Sequence, residues 1–486
     1  MEVRKVDKKV AFLTLGCKVN SYETDAMEQL FIKSGYKIVK FNEQADIYIV
    51  NTCSVTNMAD RKSRQMLHKA KKNNSNALVV AVGCYVQAAP EEVMKDDAID
   101  IIVGNNKKKD IVEIVEKYIE DNYSDNIITH NEDFYNLNSV IDINDTKGSV
   151  QYEELEIKQT DENTRAYIKI QDGCNQFCSY CIIPYVRGRI RSRKLGDILQ
   201  EVNSLAQTGY KEVVLTGIHI SSYGLDFEKE RKKDFNYKYL LEVIKEIAKV
   251  DGIRRIRLGS LEPRIITEEF IAELSKIDKV CPHFHLSLQS GCDETLKRMN
   301  RKYTTEQFMD GCNILRKYYD NPALTTDIIV GFAGETEEEF DITYDFLNKV
   351  NFSQMHIFKY SIRKGTVAEK MPNQVSDRLK NERSKKLIAM SEKNHLHYMN
   401  TFTGKEEAVL IEEKVNINDQ EYYIGHNERY VKIAVKCDKI KEYKILGEKN
   451  ILDNTNIDKN DYENTIIKVK VEGVLSDDIM EGTIIG

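Results

Sequence analysis

Short apolar runs alternate with helix-length amphipathic stretches through the first part of the chain: KVAFLTLGC, IYIVNTC, ALVVAVGC and DIIVG, each followed by a segment with helical spacing. Near-continuous apolar strands separated by helices are what a parallel sheet covered on both faces requires. Residues 8–118 are therefore expected to form a small parallel α/β domain. From 119 to 160 the pattern dissolves into Asn, Asp and Glu (DNYSDN, NEDFYN, DENT), which reads as a polar connector with room for a strand or two. A second series then begins at AYIKIQDGC and continues through EVVLTG, RRIRLGS, HFHLSLQSG, LTTDIIVGFAG and MHIFKYS. Six strands with helices between them predict a parallel (β/α)6 barrel, open or incomplete, over 161–399, ending in a charged helix near 376–399.

The last segment, 400–486, changes character. EEAVLIEE, EYYIGH, YVKIAVK, IIKVKVEGV and MEGTIIG are strand-like and lack helical periodicity, so a small all-β barrel of the OB type is expected, with NILDNTNIDKNDYEN as a polar loop inside it. A length of 486 residues agrees with three such units rather than one core. Hydrophobic residues at 41% and charged residues at 31% are ordinary for globular protein, and no apolar run approaches the roughly 20 residues that span a bilayer. The opening MEVRKVDKKV lacks the apolar stretch of a secretory signal, so a cytoplasmic location is expected. In that compartment the ten cysteines are expected to be reduced and to serve metal binding, catalysis or packing rather than disulfides.

Two sets of cysteines stand out. Cys174, Cys178 and Cys181 crowd onto one loop directly after a strand. Three thiolates so close can grip three irons of a 4Fe-4S cubane and leave the fourth iron open for another ligand. The alternative, a structural zinc site, wants four ligands, and no second pair lies nearby. Cys17, Cys53 and Cys84 each end a strand of the first domain, beside Gly16, Thr52 and Gly83. A parallel sheet lines up the carboxyl ends of its strands along one edge, so these three should converge and could hold a second cluster; otherwise each is a small buried residue. Cys281, Cys292, Cys312 and Cys437 share no spacing and read as packing residues.

Cys-x3-Cys-x-aromatic-Cys after the first strand of a six-strand barrel resembles the radical S-adenosylmethionine superfamily. That resemblance implies that the open iron chelates the methionine moiety of S-adenosylmethionine, that an electron from the cluster cleaves the sulfonium, and that Tyr180 lies against the adenine. A three-cysteine α/β domain, a radical barrel and a terminal β-barrel, in that order, look like the methylthiotransferase family over nearly the whole chain, the tail resembling its TRAM domain. The flanks TLGCKVN, VNTCSVT and VGCYVQ, with GCNQFCSYCIIPYVRGRIRSR, are similar to the threonylcarbamoyladenosine tRNA methylthiotransferases. The implied reaction replaces the C2 hydrogen of that base at position 37 with a methylthio group. It uses two 4Fe-4S clusters and two molecules of S-adenosylmethionine, with an external electron donor and a sulfur source. Relatives that act on isopentenyladenosine tRNA or on a ribosomal protein are rivals, and so is a non-catalytic metal-containing RNA-binding protein.

The carboxyl ends of the barrel strands supply candidates for cofactor contact: Thr216 and Gly217, Ser260 and Glu262, Gln289 and Ser290, Asp327 and Gly331, Ser361 and Arg363. His219 and His285 are given no role. A net charge of −7 does not advertise a nucleic-acid partner, but basic stretches do so locally. Arg61, Lys62, Arg64, Lys69, Lys71 and Lys72 fall on one predicted helix, and Arg187, Arg189, Arg191, Arg193 and Lys194 follow the second cysteine set with an alternation that could run along a phosphate backbone. Arg254, Arg255 and Arg257 read as a solvated face, and Tyr422, Tyr423, Tyr430 and Lys432 as an aromatic and basic surface for RNA.

Overall fold

The computed structural model describes residues 8–123, 140–142, 151–157, 164–227, 237–438 and 462–485. The first unit is a parallel sheet of β1 (Lys9–Thr14), β2 (Lys37–Val39), β3 (Ile47–Thr52), β4 (Leu78–Gly83), β5 (Ile101–Val103) and β6 (Val140–Asp142), in the order β2-β1-β3-β4-β5-β6. Every residue of β3 and β4 is buried, because helices cover both faces. The covering helices include α1 (Lys18–Lys33), which starts directly after Cys17, and α2 (Asn57–Asn73), capped by the Thr56 hydroxyl. Strand β6 draws part of the expected connector into this sheet.

Among the described residues the central unit has seven strands: β7 (Arg165–Asp172), β8 (Arg191–Ser192), β9 (Glu212–Gly217), β10 (Arg255–Leu258), β11 (His283–Gln289), β12 (Ala323–Val330) and β13 (Gln354–Lys359). They form one sheet ordered β10-β9-β7-β8 and another ordered β11-β12-β13, joined by the parallel bridges Ile256↔Val280 and Leu261↔Leu286. Apart from the short antiparallel β8, this is the incomplete six-strand parallel barrel read from the sequence. Along β11, Phe284, Leu286 and Leu288 join the hydrophobic core. His283 and His285, which alternate with these before the register shifts beyond Leu286, therefore face the barrel interior.

Strands β14 (Glu406–Ile417), β15 (Gln420–His426), β16 (Lys432–Lys436), β17 (Ile466–Ser476) and β18 (Ile479–Ile484) close into a barrel ordered β14-β15-β16-β18-β17, with β16 and β18 parallel. Five strands closed in this way are the OB-type barrel expected. The polar loop NILDNTNIDKNDYEN lies largely outside the described residues.

Two expectations about this unit are corrected. Arg255 and Arg257 are not a solvated face: both are buried, and they bolt the terminal barrel to the amino ends of the central strands. Arg255 donates to the carbonyls of His426 (3.0 Å) and Ala408 (2.7 Å), while Arg257 pairs with Glu212 (2.7 Å) and donates to the carbonyl of Glu428 (2.9 Å). Nor do the tyrosines make an RNA surface. Tyr422 and Tyr423 are buried, and Tyr430 is sandwiched by the His426 ring (4.4 Å between centroids) and the Arg165 and Arg257 guanidinium groups (4.8 Å each). Aromatic residues on a small barrel serve packing as readily as stacking on bases, and here the neighbouring unit occupies them.

Candidate active site

The first cysteine trio converges because its strands are neighbours: β1, β3 and β4 end side by side, Cys53 and Cys84 follow β3 and β4 directly, and Cys17 follows β1 after Leu15 and Gly16. Gly16 has φ of +107°, and a Cβ there would stand 2.8 Å from Cys53 Sγ. Glycine is needed at that turn both for its conformation and for the room it leaves the thiol. Asn20 ties the turns together, its amide donating to the carbonyls of Leu15 (2.7 Å) and Thr52 (3.0 Å). Cys17 is accessible yet hemmed in by protein, so burial pushes its thiol pKa upward; Cys53 is raised to about 11 for the same reason.

The second trio sits on the loop that follows β7. The Gln176 amide N–H donates to Cys174 Sγ (3.5 Å), and Arg301 Nη1 donates to Cys178 Sγ (3.2 Å). Burial raises the pKa of Cys174 to about 12 and that of Cys181 as well. Clustered, desolvated thiols ionise poorly alone and well when cations neutralise them, which is the chemistry of an iron-sulfur ligand set. Both trios fit that group. They also adjoin one another: Cys84 packs against Ile182 and Val186, just past Cys181, and the Asn105 amide reaches both Cys84 Sγ (3.8 Å) and the Val186 carbonyl (2.9 Å).

Beside the first trio lies a buried charge network that the sequence did not announce. Glu23 on α1 accepts from Lys108 (2.9 Å), Lys169 (2.7 Å) and Arg187 (2.8 Å), and Asp172, at the end of β7, accepts from Lys169 (2.8 Å), Arg187 (3.2 Å) and Arg191 (3.3 Å). Burial alone would raise the Glu23 pKa, but Arg187, Lys108 and Lys169 outweigh it and hold the carboxyl well below its usual range. Asp172 is lowered in the same way by Lys169, Arg187 and Arg191 against its own burial.

This network overturns the expected phosphate track. Arg187, Arg191 and Arg193 are 0%, 5% and 0% exposed, with Arg193 spent on Glu154 and Glu201; only Arg189 of the four is exposed, and it lies over the Phe177 ring at 4.5 Å. The alternation was real, but it marks a segment whose alternate side chains enter the interior. On α2, by contrast, Arg61, Lys62 and Arg64 are exposed, Arg64 touching the Tyr85 hydroxyl (3.1 Å).

Of the cofactor candidates, Tyr180 packs edge-on to Phe332 (6.3 Å between centroids) beside the second trio. Glu262 reaches the same loop through Arg264, which donates to Glu262 (2.8 Å) and to the Gln176 side chain (3.2 Å). Thr216 is buried, and Gly217 lies against Gln171, whose side chain holds the Gly173 carbonyl at 2.7 Å just before Cys174. Gln289 takes φ of +75°, a costly conformation for a residue with a side chain, at the carboxyl end of β11. Ser260 is exposed, and Ser290 bonds internally to Thr343 (3.3 Å). Asp327 stands with His285 and His356 inside the barrel rather than at its rim. Arg363 is corrected: its guanidinium goes to Asp60 (2.6 Å), Asn57 (2.8 Å) and Ser54 (2.7 Å), pinning the end of β13 to the first unit next to Cys53. Nearby, Ser361 accepts from the Asn57 amide (3.1 Å). Burial, with Arg301 and Arg264 nearby, pushes His219 down to about 3, so it stays neutral at physiological pH.

Sequence reasoning missed Arg301, Glu23 and Lys169. Arg301 lies in the RMNRKYT stretch after β11, where a basic residue gives no hint that it points at a cysteine. Among the described residues no helix is long and apolar enough to cross a membrane.

Residues 168–347 match the Radical SAM superfamily, and residues 9–104 match the Uncharacterized protein family UPF0004. The chain is 41% identical, over 88% of its length and 90% of the relative's, to the threonylcarbamoyladenosine tRNA methylthiotransferase MtaB of Bacillus subtilis (strain 168). It is 37% identical, over 90% and 91%, to the tRNA-2-methylthio-N(6)-dimethylallyladenosine synthase of Thermoanaerobacter sp. (strain X514). In fold it is similar to the radical S-adenosylmethionine methyltransferase TsrM from Kitasatospora setae (TM-score 0.53, 15% identity, 73% of this chain and 75% of that one). A thiol trio at the mouth of an open barrel, a second trio packed against it, and matches that span both trios lead to one placement: the chain belongs to the methylthiotransferase family of radical S-adenosylmethionine enzymes.

Proposed function

We propose that the protein converts N6-threonylcarbamoyladenosine at position 37 of tRNA to its 2-methylthio derivative in the cytoplasm. The observation that carries this is the 41% identity across nine-tenths of a relative named for that base, supported by the packing of Cys84 against Ile182, the residue after Cys181. Cys174, Cys178 and Cys181 would hold the cluster that binds S-adenosylmethionine, and Cys17, Cys53 and Cys84 a second one; these groups supply the one-electron chemistry and the sulfur transfer that an unactivated C2 position demands.

The chain's own residues prepare the site. Arg301 fixes Cys178 by a charged hydrogen bond and is itself aimed by the Ser287 carbonyl (3.0 Å) and the Tyr303 hydroxyl (3.0 Å). Tyr180 and Glu262 flank the loop where the nucleoside cofactor would lie. The buried cations Lys108, Lys169, Arg187 and Arg191 outnumber the buried acids Glu23, Asp172 and Glu153 beside the first trio, a setting suited to an anionic cluster. An external electron donor and a sulfur source complete the scheme.

Two tests follow from this reading. In tRNA from cells lacking the gene, nucleoside analysis should show threonylcarbamoyladenosine without its methylthio form, restored by the intact gene. Persistence of the methylthio form, or loss instead of the methylthio dimethylallyl nucleoside, would assign the chain another substrate. For RNA contact, Arg61 and Lys62 on α2 are exposed, and they stand on the helix whose first turn meets Arg363 and Ser361 beside Cys53. Changing both to alanine should weaken tRNA binding several-fold and lower the slope of log affinity against log salt by roughly one per cation removed. An unchanged slope would take α2 out of the interface.

A further inference from the structure

Beside the central barrel stands a cation that takes part in no ion pair among the described residues. Lys18 opens α1, one residue past Cys17, and its side chain is accessible. Its charged neighbours are Arg257 and Arg165, with Glu212 the acid near it. Those arginines have carboxylates of their own: Arg257 pairs with Glu212 (2.7 Å) and Arg165 with Glu412 (3.1 Å). Lys18 forms no ion pair or hydrogen bond among the described residues. Its charge is felt at His283 on β11 and His356 on β13, so the ammonium group lies within electrostatic range of the wall those strands form.

On that wall stands a polar cluster of three side chains whose ligating atoms lie within 4.8 Å of one another: His285, Asp327 and His356. His285 Nε2 is 3.3 Å from Asp327 Oδ2, and its Nδ1 is 3.0 Å from Thr325 Oγ1, which fixes the ring between two partners. The two imidazole rings lie 5.9 Å apart. Asp327 keeps 31% of its side chain accessible, His285 is half-buried and His356 exposed, so the cluster is open to a ligand. A small polar group carrying one negative charge would match this wall, its anion on Lys18 and its hydrogen-bonding atoms on Asp327 and the histidines.

We propose that Lys18, His285, Asp327 and His356 form the subsite that reads the threonylcarbamoyl arm of the substrate base. Lys18 binds the threonine carboxylate, Asp327 accepts from its hydroxyl or carbamoyl N–H, and His356 closes the side of the pocket. The assignment rests on the function proposed above and adds the source of its selectivity. An apolar dimethylallyl arm would leave Lys18 unpaired in a partly desolvated place, which is how polar sites reject apolar analogues. Because Lys18 adjoins Cys17, anchoring the arm there brings the base beside both cysteine trios.

The test uses the anaerobically reconstituted full chain and two anticodon stem-loops, one carrying the threonylcarbamoyl arm as the free acid and the other as its methyl ester. The wild type should favour the acid in kcat/KM by about 10- to 100-fold. Lys18→Met should bring that ratio close to one, and Lys18→Arg should keep most of it. The ratio is internal to each protein, so a cluster damaged by the substitution lowers both rates without imitating the effect. Equal turnover of acid and ester by the wild type, or full discrimination by Lys18→Met, overturns the subsite. A wild type that ignores both stem-loops while modifying one with a dimethylallyl arm overturns the function instead, and the wild-type comparison stands even if the variant fails to fold.

Discussion

Replacing Cys178 with alanine is expected to abolish product formation, a loss of at least about a thousandfold, together with the visible absorption of the cluster bound by the central barrel. The barrel trio supplies three thiols, and removing one leaves the cluster only two protein ligands. Arg301→Leu separates the ligand from its partner. It leaves all three thiols but removes the charged hydrogen bond to Cys178, so cluster loading or turnover should fall about 10- to 100-fold rather than vanish, the range usual for partners of metal ligands. Iron content and reductive cleavage of S-adenosylmethionine, measured under anoxic conditions, check both. A Cys178→Ala protein that still cleaves the cofactor would remove the trio from the chemistry.

Glu23→Gln is expected to be the most destabilising conservative substitution in the first domain. The change keeps the shape but takes away the carboxylate that ion-pairs with Lys108, Lys169 and Arg187, leaving Lys108 without an ion pair, Lys169 and Arg187 paired to Asp172, and only Glu153 as a further buried acid near the two lysines. Uncompensated buried charge of this kind costs about 3–5 kcal/mol, and thermal unfolding of the anaerobic protein should fall by roughly 10 °C. The pH dependence has a definite sign. Because the folded-state pKa of Glu23 is depressed below its unfolded value, its contribution is complete above about pH 4.5 and is lost as pH falls toward the folded-state value. The gap between wild type and variant should therefore be full at pH 7 and should narrow only in acid. A gap that is constant from pH 7 to pH 3 would show that the carboxylate charge is not what matters.

The fold was legible because its signals are local and repeated. Buried strands such as IYIVNT and LVVAVG cannot hide their periodicity, and strand ends in a parallel sheet share an edge, which is why Cys17, Cys53 and Cys84 could be grouped although each is followed by a different helix. Charge was read less well. An arginine has the same letter whether it faces a phosphate or a buried glutamate, and Arg187, Arg191 and Arg193 proved to face Glu23, Asp172 and Glu201. The acids that decide the matter lie far away in sequence, Glu23 being 164 positions from Arg187. Arg255 and Arg257 misled for the same reason, since their partners belong to the terminal barrel. Arg363 and Lys18 became interpretable only once the first unit was seen against the central one.

The bolts at Arg255 and Arg257 have a mechanical meaning. A nucleic-acid module on a flexible tether samples many distances, and its linker sets how often it lands where it helps. Here no slack separates the terminal barrel from the wall of the reaction chamber. If the proposed function holds, any grip this barrel took on an RNA stem would be held at a set spacing from the cysteines, so the fold would act as a ruler along the anticodon arm, and loosening the bolts should blur which nucleotide is presented before it weakens attachment.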